Sequence, residues 1–215
     1  MYVSDTRITP MEAATSIELA PPRELTRDKA GRIVEAMRLS VAARGVAGST
    51  FDHVAREAGV SRGLLHYYFG TKERLLIEVV RRECDVRIER LEHAIGDADS
   101  ADAVIAALVK SLEDFMDDGA SAPIMFYEMT TLGQRNEEIA AELAELGRRT
   151  RTHLADALRA KSEAGVLELH ADADVAATFL FALADGLTIR RLSEPDLDLG
   201  PVIRESVATT RSLLI

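Results

Sequence analysis

The sequence predicts an all-α protein, and three features indicate this fold class. Ala, Leu, Glu and Arg dominate its 215 residues. Apolar residues recur every three or four positions, which is the period of an amphipathic helix. No segment alternates apolar and polar residues as a strand would. A chain of this length can bury a sizeable core. We therefore expect about nine helices, arranged as an N-terminal three-helix unit and a C-terminal helical domain.

The first helix is predicted to follow a mobile leader. Residues 1–24 show no helical period and contain three of the six prolines, so we assign them no structure. Thr26 is the expected N-cap of helix 1, and Gly45 is expected to end it. One face of this helix is apolar and is formed by Ile33, Met37 and Val41.

Residues 51–70, FDHVAREAGVSRGLLHYYFG, predict two short helices joined by a tight turn. Gly59 lies at the turn, where a left-handed backbone is needed and glycine adopts it without steric cost. Ser49 is the expected N-cap of the first short helix, and Ser61 that of the second. Leu65 then faces inward. This spacing predicts a helix-turn-helix, which binds DNA by placing the start of its second helix in the major groove.

The outer face of this unit is rich in groups that can contact phosphates and base edges. Arg62 is the candidate for base recognition, because its guanidinium can bond guanine through two hydrogen bonds. The hydroxyls of Ser49 and Thr50 can either cap the helix or reach a phosphate. The candidate DNA-binding residues are Ser49, Thr50, Ser61, Arg62, Gly63, His66, Tyr67 and Lys72.

The distribution of charge agrees with DNA contact at one end of the molecule. The formal net charge of the chain is −10. Residues 23–74 nevertheless hold ten Lys or Arg and six Asp or Glu, a net charge of +4. Residues 75–215 hold 15 Lys or Arg and 27 Asp or Glu, a net charge of −12. Phosphate neutralisation requires such a basic surface, and the acidic remainder would repel nucleic acid.

The segment GVSRGLLHYYFGTKERLL, preceded by Ser49, Thr50 and Ala55 at matching positions, resembles the signature of TetR-type transcriptional regulators. The resemblance covers residues 26–75. It implies a helix-turn-helix DNA-binding domain at 25–71 and an effector-binding and dimerisation domain at 72–215. It also implies a homodimeric repressor that binds a palindromic double-stranded DNA operator and is released by a small-molecule effector.

The second domain is predicted to begin with a long helix capped by Thr71. Cys84 lies inside its apolar stripe and is expected to be a buried structural thiol. A single cysteine excludes an internal disulfide and suits a reducing compartment. Further helices are predicted over residues 101–116, from Pro123, and over residues 137–165.

Aromatic and methionine side chains in this domain suit an effector pocket, although ordinary core packing explains each of them equally well. Glu113 or Glu128 facing inward would indicate a cationic effector, and without them the pocket would suit a neutral, largely apolar compound. The candidate pocket residues are Phe115, Met116, Met125, Phe126, Tyr127, Glu128, Met129 and Phe179.

The helix predicted from Asp172 to Ser193 is apolar on two sides, so it must be buried on two sides. Its own domain can cover one side, and a second copy of the chain can cover the other. We expect this helix and the last one to form a four-helix interface with their symmetry mates. The candidate dimer residues are Val175, Phe179, Ala182, Gly186, Ile189, Ile203, Val207 and Leu214.

Neither catalysis nor a cofactor is expected. The five histidines are dispersed, no nucleophile or phosphate-loop motif occurs, and no three residues have the spacing of a metal site. No apolar run reaches the ~18–20 residues of a membrane span, so a cytoplasmic protein is expected. Two other functions stay open: a constitutive DNA-binding regulator without a ligand, and a helical protein–protein interaction module.

Overall fold

The computed structural model describes residues 23–117 and 121–215, which form nine α-helices and no β-strand. The all-α prediction is therefore confirmed. Residues 1–22 of the predicted leader lie outside the described residues, and residues 23 and 24 belong to the first helix instead. The helices are α1 (Arg23–Gly48), α2 (Phe51–Ala58), α3 (Arg62–Phe69), α4 (Lys72–Asp97), α5 (Ala101–Asp117), α6 (Ser121–Gly133), α7 (Glu137–Glu163), α8 (Ala173–Ser193) and α9 (Gly200–Leu214).

Several helices begin at a side-chain oxygen that accepts a backbone N–H, as predicted for α4. Thr71 accepts from the amide of Arg74 at 3.2 Å. The prediction that Ser49 caps α2 is wrong: Thr50 is the cap and accepts from the amide of His53 at 3.3 Å. Ser61 occupies the N-cap position of α3, but its hydroxyl makes no capping hydrogen bond.

Ser49 cannot cap α2 because its side chain is wholly buried and turned the other way. Its hydroxyl donates to the carbonyl of Gly45 at 2.8 Å. Gly45 itself has a φ of 69°, which interrupts α1 close to its end, at the residue where the sequence predicts a stop. The Ser49 hydroxyl therefore supports the connection between α1 and α2.

The turn between α2 and α3 has the geometry that the sequence predicts. Gly59 has a φ of 66°. Its amide donates to the carbonyl of Arg56 at 3.3 Å, and the amide of Val60 donates to the carbonyl of Ala55 at 2.9 Å. These two bonds form a Schellman motif, which satisfies carbonyls at the end of α2 and sets the direction in which α3 departs.

The protein is built on two hydrophobic clusters stacked along α4. The first joins α1–α3 to the first half of α4 and also includes Met125 and Met129 of α6 and Ile139 of α7. The second joins the end of α4 to α5, the second half of α7, α8 and the end of α9. The predicted domain boundary near residue 71 is therefore not a break in packing, because α6 and α7 contribute to the same cluster as the helix-turn-helix.

Ion pairs connect α4 to α7 along the length of their contact. They lie on the partly exposed edge of the two helices, so each contributes only about 0–1 kcal/mol. Four pairs spaced along one edge nevertheless favour a single alignment of the helices. Three are the ion pairs Arg74–Glu138, Arg81–Glu142 and Asp85–Arg149, and the fourth is the hydrogen bond between Glu92 and His153.

The turn geometry predicts opposite effects for two glycine substitutions. An added Cβ meets no atom within 4 Å at either Gly59 or Gly96, so a difference between the two reports the backbone alone. Gly59→Ala should destabilise the protein by about 1–2 kcal/mol, because alanine is strained at positive φ. Gly96→Ala, in the last turn of α4, should be neutral or stabilising by up to about 1 kcal/mol. Urea unfolding measures both, and equal effects would contradict the argument.

Candidate DNA-binding surface and effector cavity

Helix α3 is held by its inner face and presents its outer face to solvent. Leu65 is completely buried and Phe69 is nearly so, within the first cluster. The His66 ring packs edge-on against the Phe51 ring, with 4.9 Å between the ring centroids. These contacts fix the rotation of α3, so the first residues of the helix point away from the protein.

Six of the eight candidate DNA-binding residues are exposed: Thr50 at the start of α2, and Ser61, Arg62, Gly63, His66 and Tyr67 at the start of α3 or within it. The Arg62 side chain is 60% exposed, and its Nη1 lies 3.3 Å from Oδ1 of Asp52. Tyr67 is 75% exposed. A short helix that offers a guanidinium, an imidazole and hydroxyls at its tip can contact base edges and phosphates.

The other two candidates, Ser49 and Lys72, are not exposed. Ser49 is buried, so its prediction as a DNA contact is wrong in this conformation. Lys72 is half-buried, and its ammonium donates to the carbonyl of Val46. This bond ties the start of α4 to the end of α1.

A cavity of about 320 Å³ lies between α4, α5, α6, α7 and α8. It opens at the junction of the two clusters, because Val80 and Met125 belong to the first and Phe181 to the second. Three of the candidate pocket residues, Phe115, Met125 and Phe126, line it.

A second cavity of about 120 Å³ adjoins the first and extends toward α9. Its lining is dominated by leucine, isoleucine and valine side chains from α4, α5, α7, α8 and α9. The two cavities share four lining residues, Arg87, Phe115, Phe181 and Asp185. One molecule could therefore occupy both.

The remaining candidate pocket residues do not line these cavities. Tyr127, Glu128 and Met129 line a separate open groove instead. This groove lies beside the end of α1 and the start of α4. Met116 lines none of these spaces. Phe179 is exposed on α8.

Charged side chains line the larger cavity, and sequence reasoning missed them. They are Glu83, Arg87, Arg151 and Asp185, whereas Glu113 and Glu128 are exposed. A signal was present in the sequence. Arg87 falls among the apolar residues of α4, and Asp185 interrupts the long apolar run of α8.

Three of the four residues shared by the cavities, Arg87, Phe115 and Asp185, interact electrostatically. The guanidinium carbon of Arg87 lies 3.9 Å from the centre of the Phe115 ring, which is a cation–π contact. Burial raises the pKa of the Asp185 carboxyl, and the positive charge of Arg87 partly opposes this shift. The carboxyl is thus easier to protonate than a solvated one.

Burial also raises the pKa values of Tyr127 and Cys84. The Tyr127 hydroxyl donates to the backbone carbonyl of Asp185 at 3.0 Å and so connects α6 to α8. Burial, with a smaller contribution from the negative charge of Asp185, raises the pKa of Tyr127 to about 12. Burial also raises the pKa of the Cys84 thiol, which lines the larger cavity.

The outer side of α8 carries an exposed apolar stripe. Val175, Phe179, Ala182, Gly186 and Ile189 are all exposed, and Ala182 also borders the larger cavity. The candidate dimer residues of α9 lie elsewhere. Ile203 and Val207 face the smaller cavity. Leu214 is completely buried in the second cluster, so its prediction as an interface residue is wrong.

The part of the chain that the structure describes holds neither a metal-binding cluster nor a helix able to span a membrane. No group of three or more His, Cys, Asp or Glu in residues 23–117 and 121–215 is placed to hold a metal ion. Within the same ranges, every helix is too short or too polar to cross a membrane.

Two family models match most of the chain. Residues 33–79 match the model described as bacterial regulatory proteins, tetR family. Residues 104–209 match that of the C-terminal part of BetI-type transcriptional repressors. The HTH-type transcriptional regulator BetI of Rhizobium meliloti (strain 1021) is 32% identical over 183 residues, which are 83% of this chain and 83% of that protein.

Solved structures of transcriptional regulators share the fold. A TetR-family regulator from Mesorhizobium loti superposes with a TM-score of 0.73 at 17% identity, over 87% of this chain and 96% of that one. A regulator from Saccharomonospora viridis, solved in complex with choline, superposes with a TM-score of 0.70 at 23% identity, over 88% and 99%. At these identities the likeness establishes the fold alone.

The burial of Cys84 predicts slow reaction with a thiol reagent such as dithionitrobenzoate. The thiolate is the reactive form, and the raised pKa leaves less of it at a given pH. The native protein should react at least about tenfold more slowly than the urea-unfolded chain at pH 8. Its rate should keep rising with pH after that of the unfolded chain has levelled off. Because Cys84 is the sole cysteine, the absorbance change reports this thiol, and equal rates would contradict its burial.

Proposed function

Because the chain belongs to the TetR family of bacterial transcriptional regulators, we propose that it is a homodimeric repressor that releases operator DNA on binding a small molecule. The chain is a regulator and not an enzyme. The observation that carries the proposal is the placement of α4. This helix packs under the exposed α3 at one end and lines both cavities further along.

In the proposed complex, the tip of α3 enters the major groove. Arg62 reads a guanine, a contact that contributes about 1–3 kcal/mol to discrimination between bases. Thr50, Ser61, His66 and Tyr67 contact phosphates and set the position of the helix. The Arg62–Asp52 pair is exposed and contributes at most about 1 kcal/mol, so the guanidinium can leave Asp52 for DNA at little cost.

The proposed dimer forms through the exposed stripe of α8. Val175 and Phe179 are 58% and 40% exposed in the single chain, and Ile189 lies on the same side of the helix. Large exposed apolar residues in one continuous stripe favour association. A two-fold dimer would place two α3 helices on one face of the duplex, about one helical turn (~34–36 Å) or somewhat more apart. A palindromic operator matches that symmetry.

The effector is proposed to bind in the cavities along α4. To change the DNA-binding form from dominant to rare, it must prefer the other form by about 5.5 kcal/mol. The choline complex of the Saccharomonospora viridis regulator is a precedent for ligand binding in this fold. A constitutive regulator would need no such space, whereas the two cavities leave room for a ligand.

The operator can be identified by selecting bound fragments from the source genome with the purified protein. Enrichment of fragments that share a palindrome supports the proposal. Binding to all duplex equally, with affinity that disappears as salt is raised, would instead favour the interaction module.

Arg62→Ala should weaken operator binding by about 1–3 kcal/mol per half-site and relax the base preference at one position of each half-site. Arg148→Ala is the matched control, because it removes the same charge from α7, where Arg148 pairs with Glu145. Fluorescence anisotropy with the selected operator measures both. If the Arg62 variant binds like the wild type, the assignment of base recognition is wrong.

Phe179→Asp should convert the dimer to a monomer, because it places a charge in the proposed apolar interface. Ile124→Asp is the control: Ile124 and Phe179 are both 40% exposed, but Ile124 lies on α6, away from the stripe. Sedimentation equilibrium measures the mass of each variant. A wild-type protein that is itself monomeric would refute the dimer, as would dissociation by both substitutions alike.

A further inference from the structure

We propose that the effector is an amphipathic carboxylate, whose anionic head binds Arg151 and Arg87 in the larger cavity and whose hydrocarbon tail extends into the smaller one. This inference rests on the proposed effector-controlled function and names the ligand class of the same site. Three features of the cavities support it: their difference in polarity, the partners of their charged groups, and the position of Arg87.

The two cavities differ sharply in polarity. Four ionisable side chains line the larger one, together with the hydroxyl residues Thr150 and Thr178. Apart from the shared Arg87 and Asp185, the described residues that line the smaller cavity include no ionisable side chain. A ligand that fills both must therefore be polar at one end and apolar at the other.

The charges of the larger cavity favour an anionic head. Within the described parts of the chain, the guanidinium of Arg151 has no ion-pair partner, although its neighbours Arg148 and Arg149 pair with Glu145 and Asp85. Nε of Arg38 lies 3.7 Å from the Glu83 carboxylate, so part of the negative charge of Glu83 is already offset. A carboxylate can bond an arginine side chain through two parallel hydrogen bonds.

Arg87 makes the site unfavourable for a cation. Its guanidinium already covers the Phe115 ring, so this face is taken from a quaternary ammonium, which is left with the rings of Phe126 and Phe181. The Asp185 carboxyl is not the sole charge at this point of the cavity, because the positive charge of Arg87 acts on it.

The position of Arg87 also gives the ligand a direct effect on the regulator. Arg87 and Glu83 both belong to α4, and Glu83 pairs with Arg38 of α1 in the DNA-binding unit. A carboxylate that draws the Arg87 guanidinium away from Phe115 acts on the helix that carries this unit.

Isothermal titration of the full-length protein tests the ligand class. The probes are butanoate, hexanoate, octanoate and decanoate, with alkyltrimethylammonium ions of the same chain lengths and choline for comparison. The carboxylates should bind, with a Kd that falls about threefold to fourfold per added methylene until the smaller cavity is full. Each ammonium ion should bind at least about tenfold more weakly than its matching carboxylate. Tighter binding of the ammonium series, or no binding by any carboxylate, would overturn the proposal.

Four variants test where the two ends of the ligand bind. Arg151→Gln should weaken octanoate binding about tenfold. Arg148→Gln, on the same helix but outside the cavity, should leave it unchanged. Ser206→Leu narrows the smaller cavity and should weaken decanoate binding more than butanoate binding. Thermal unfolding checks that each variant is folded, and Arg151→Lys, which keeps the charge, should bind better than Arg151→Gln. Equal losses for Arg151→Gln and Arg148→Gln would overturn the placement of the head.

Operator release is measured separately, so the two hypotheses fail in different ways. Carboxylate binding that leaves the operator complex intact would support this inference and refute ligand-controlled release. Release by choline or an alkylammonium ion, without carboxylate binding, would refute this inference and support the proposed function.

Discussion

Helix α4 must belong to two hydrophobic clusters at once, and the rest of the structure depends on that constraint. Its first half completes the cluster that holds α1–α3, and its end completes the cluster of α5, α8 and α9. Helix α7 also takes part in both clusters, and ion pairs and a hydrogen bond align it with α4 from Arg74 to Glu92. The two long helices therefore define one axis, and any displacement of α4 disturbs the packing of both clusters.

The cavities lie where α4 passes from one cluster to the other. Val80 is still part of the first cluster, and Leu91 packs against the second. Between them, Arg87 interrupts the apolar stripe with a guanidinium that cannot be packed among leucines without polar or aromatic partners. Protein interiors are otherwise close-packed, and empty volume costs stability. A space lined by Arg87, Arg151 and Asp185 is polar enough to be filled by water or by the proposed effector.

The local parts of this structure could be predicted from sequence, and the parts that depend on tertiary packing could not. Gly59 and the spacing around it determine the helix-turn-helix because the turn is made by hydrogen bonds within six residues. The choice between Ser49 and Thr50 as the cap depends on backbone angles that two adjacent hydroxyl residues do not reveal. Leu214 was assigned to the wrong surface because periodicity identifies an apolar face but not the neighbour that covers it. Arg151 was missed because charged residues on a helix are usually solvated.

The connection at the start of α4 would carry a small change at the cavity to the DNA-binding unit in the proposed mechanism. Thr71 caps this end, and the Lys72 ammonium bonds to the carbonyl of Val46, so α4 and the DNA-binding unit are joined closely. From Arg87 to Lys72 the helix spans about 22 Å at 1.5 Å per residue. A tilt of about 5° at Arg87 would therefore shift the start of α4 by about 2 Å. Hydrogen bonds weaken steeply over much smaller displacements. In a dimer both α3 helices would shift together relative to one rigid duplex, so neither could regain its contacts without further displacing the other.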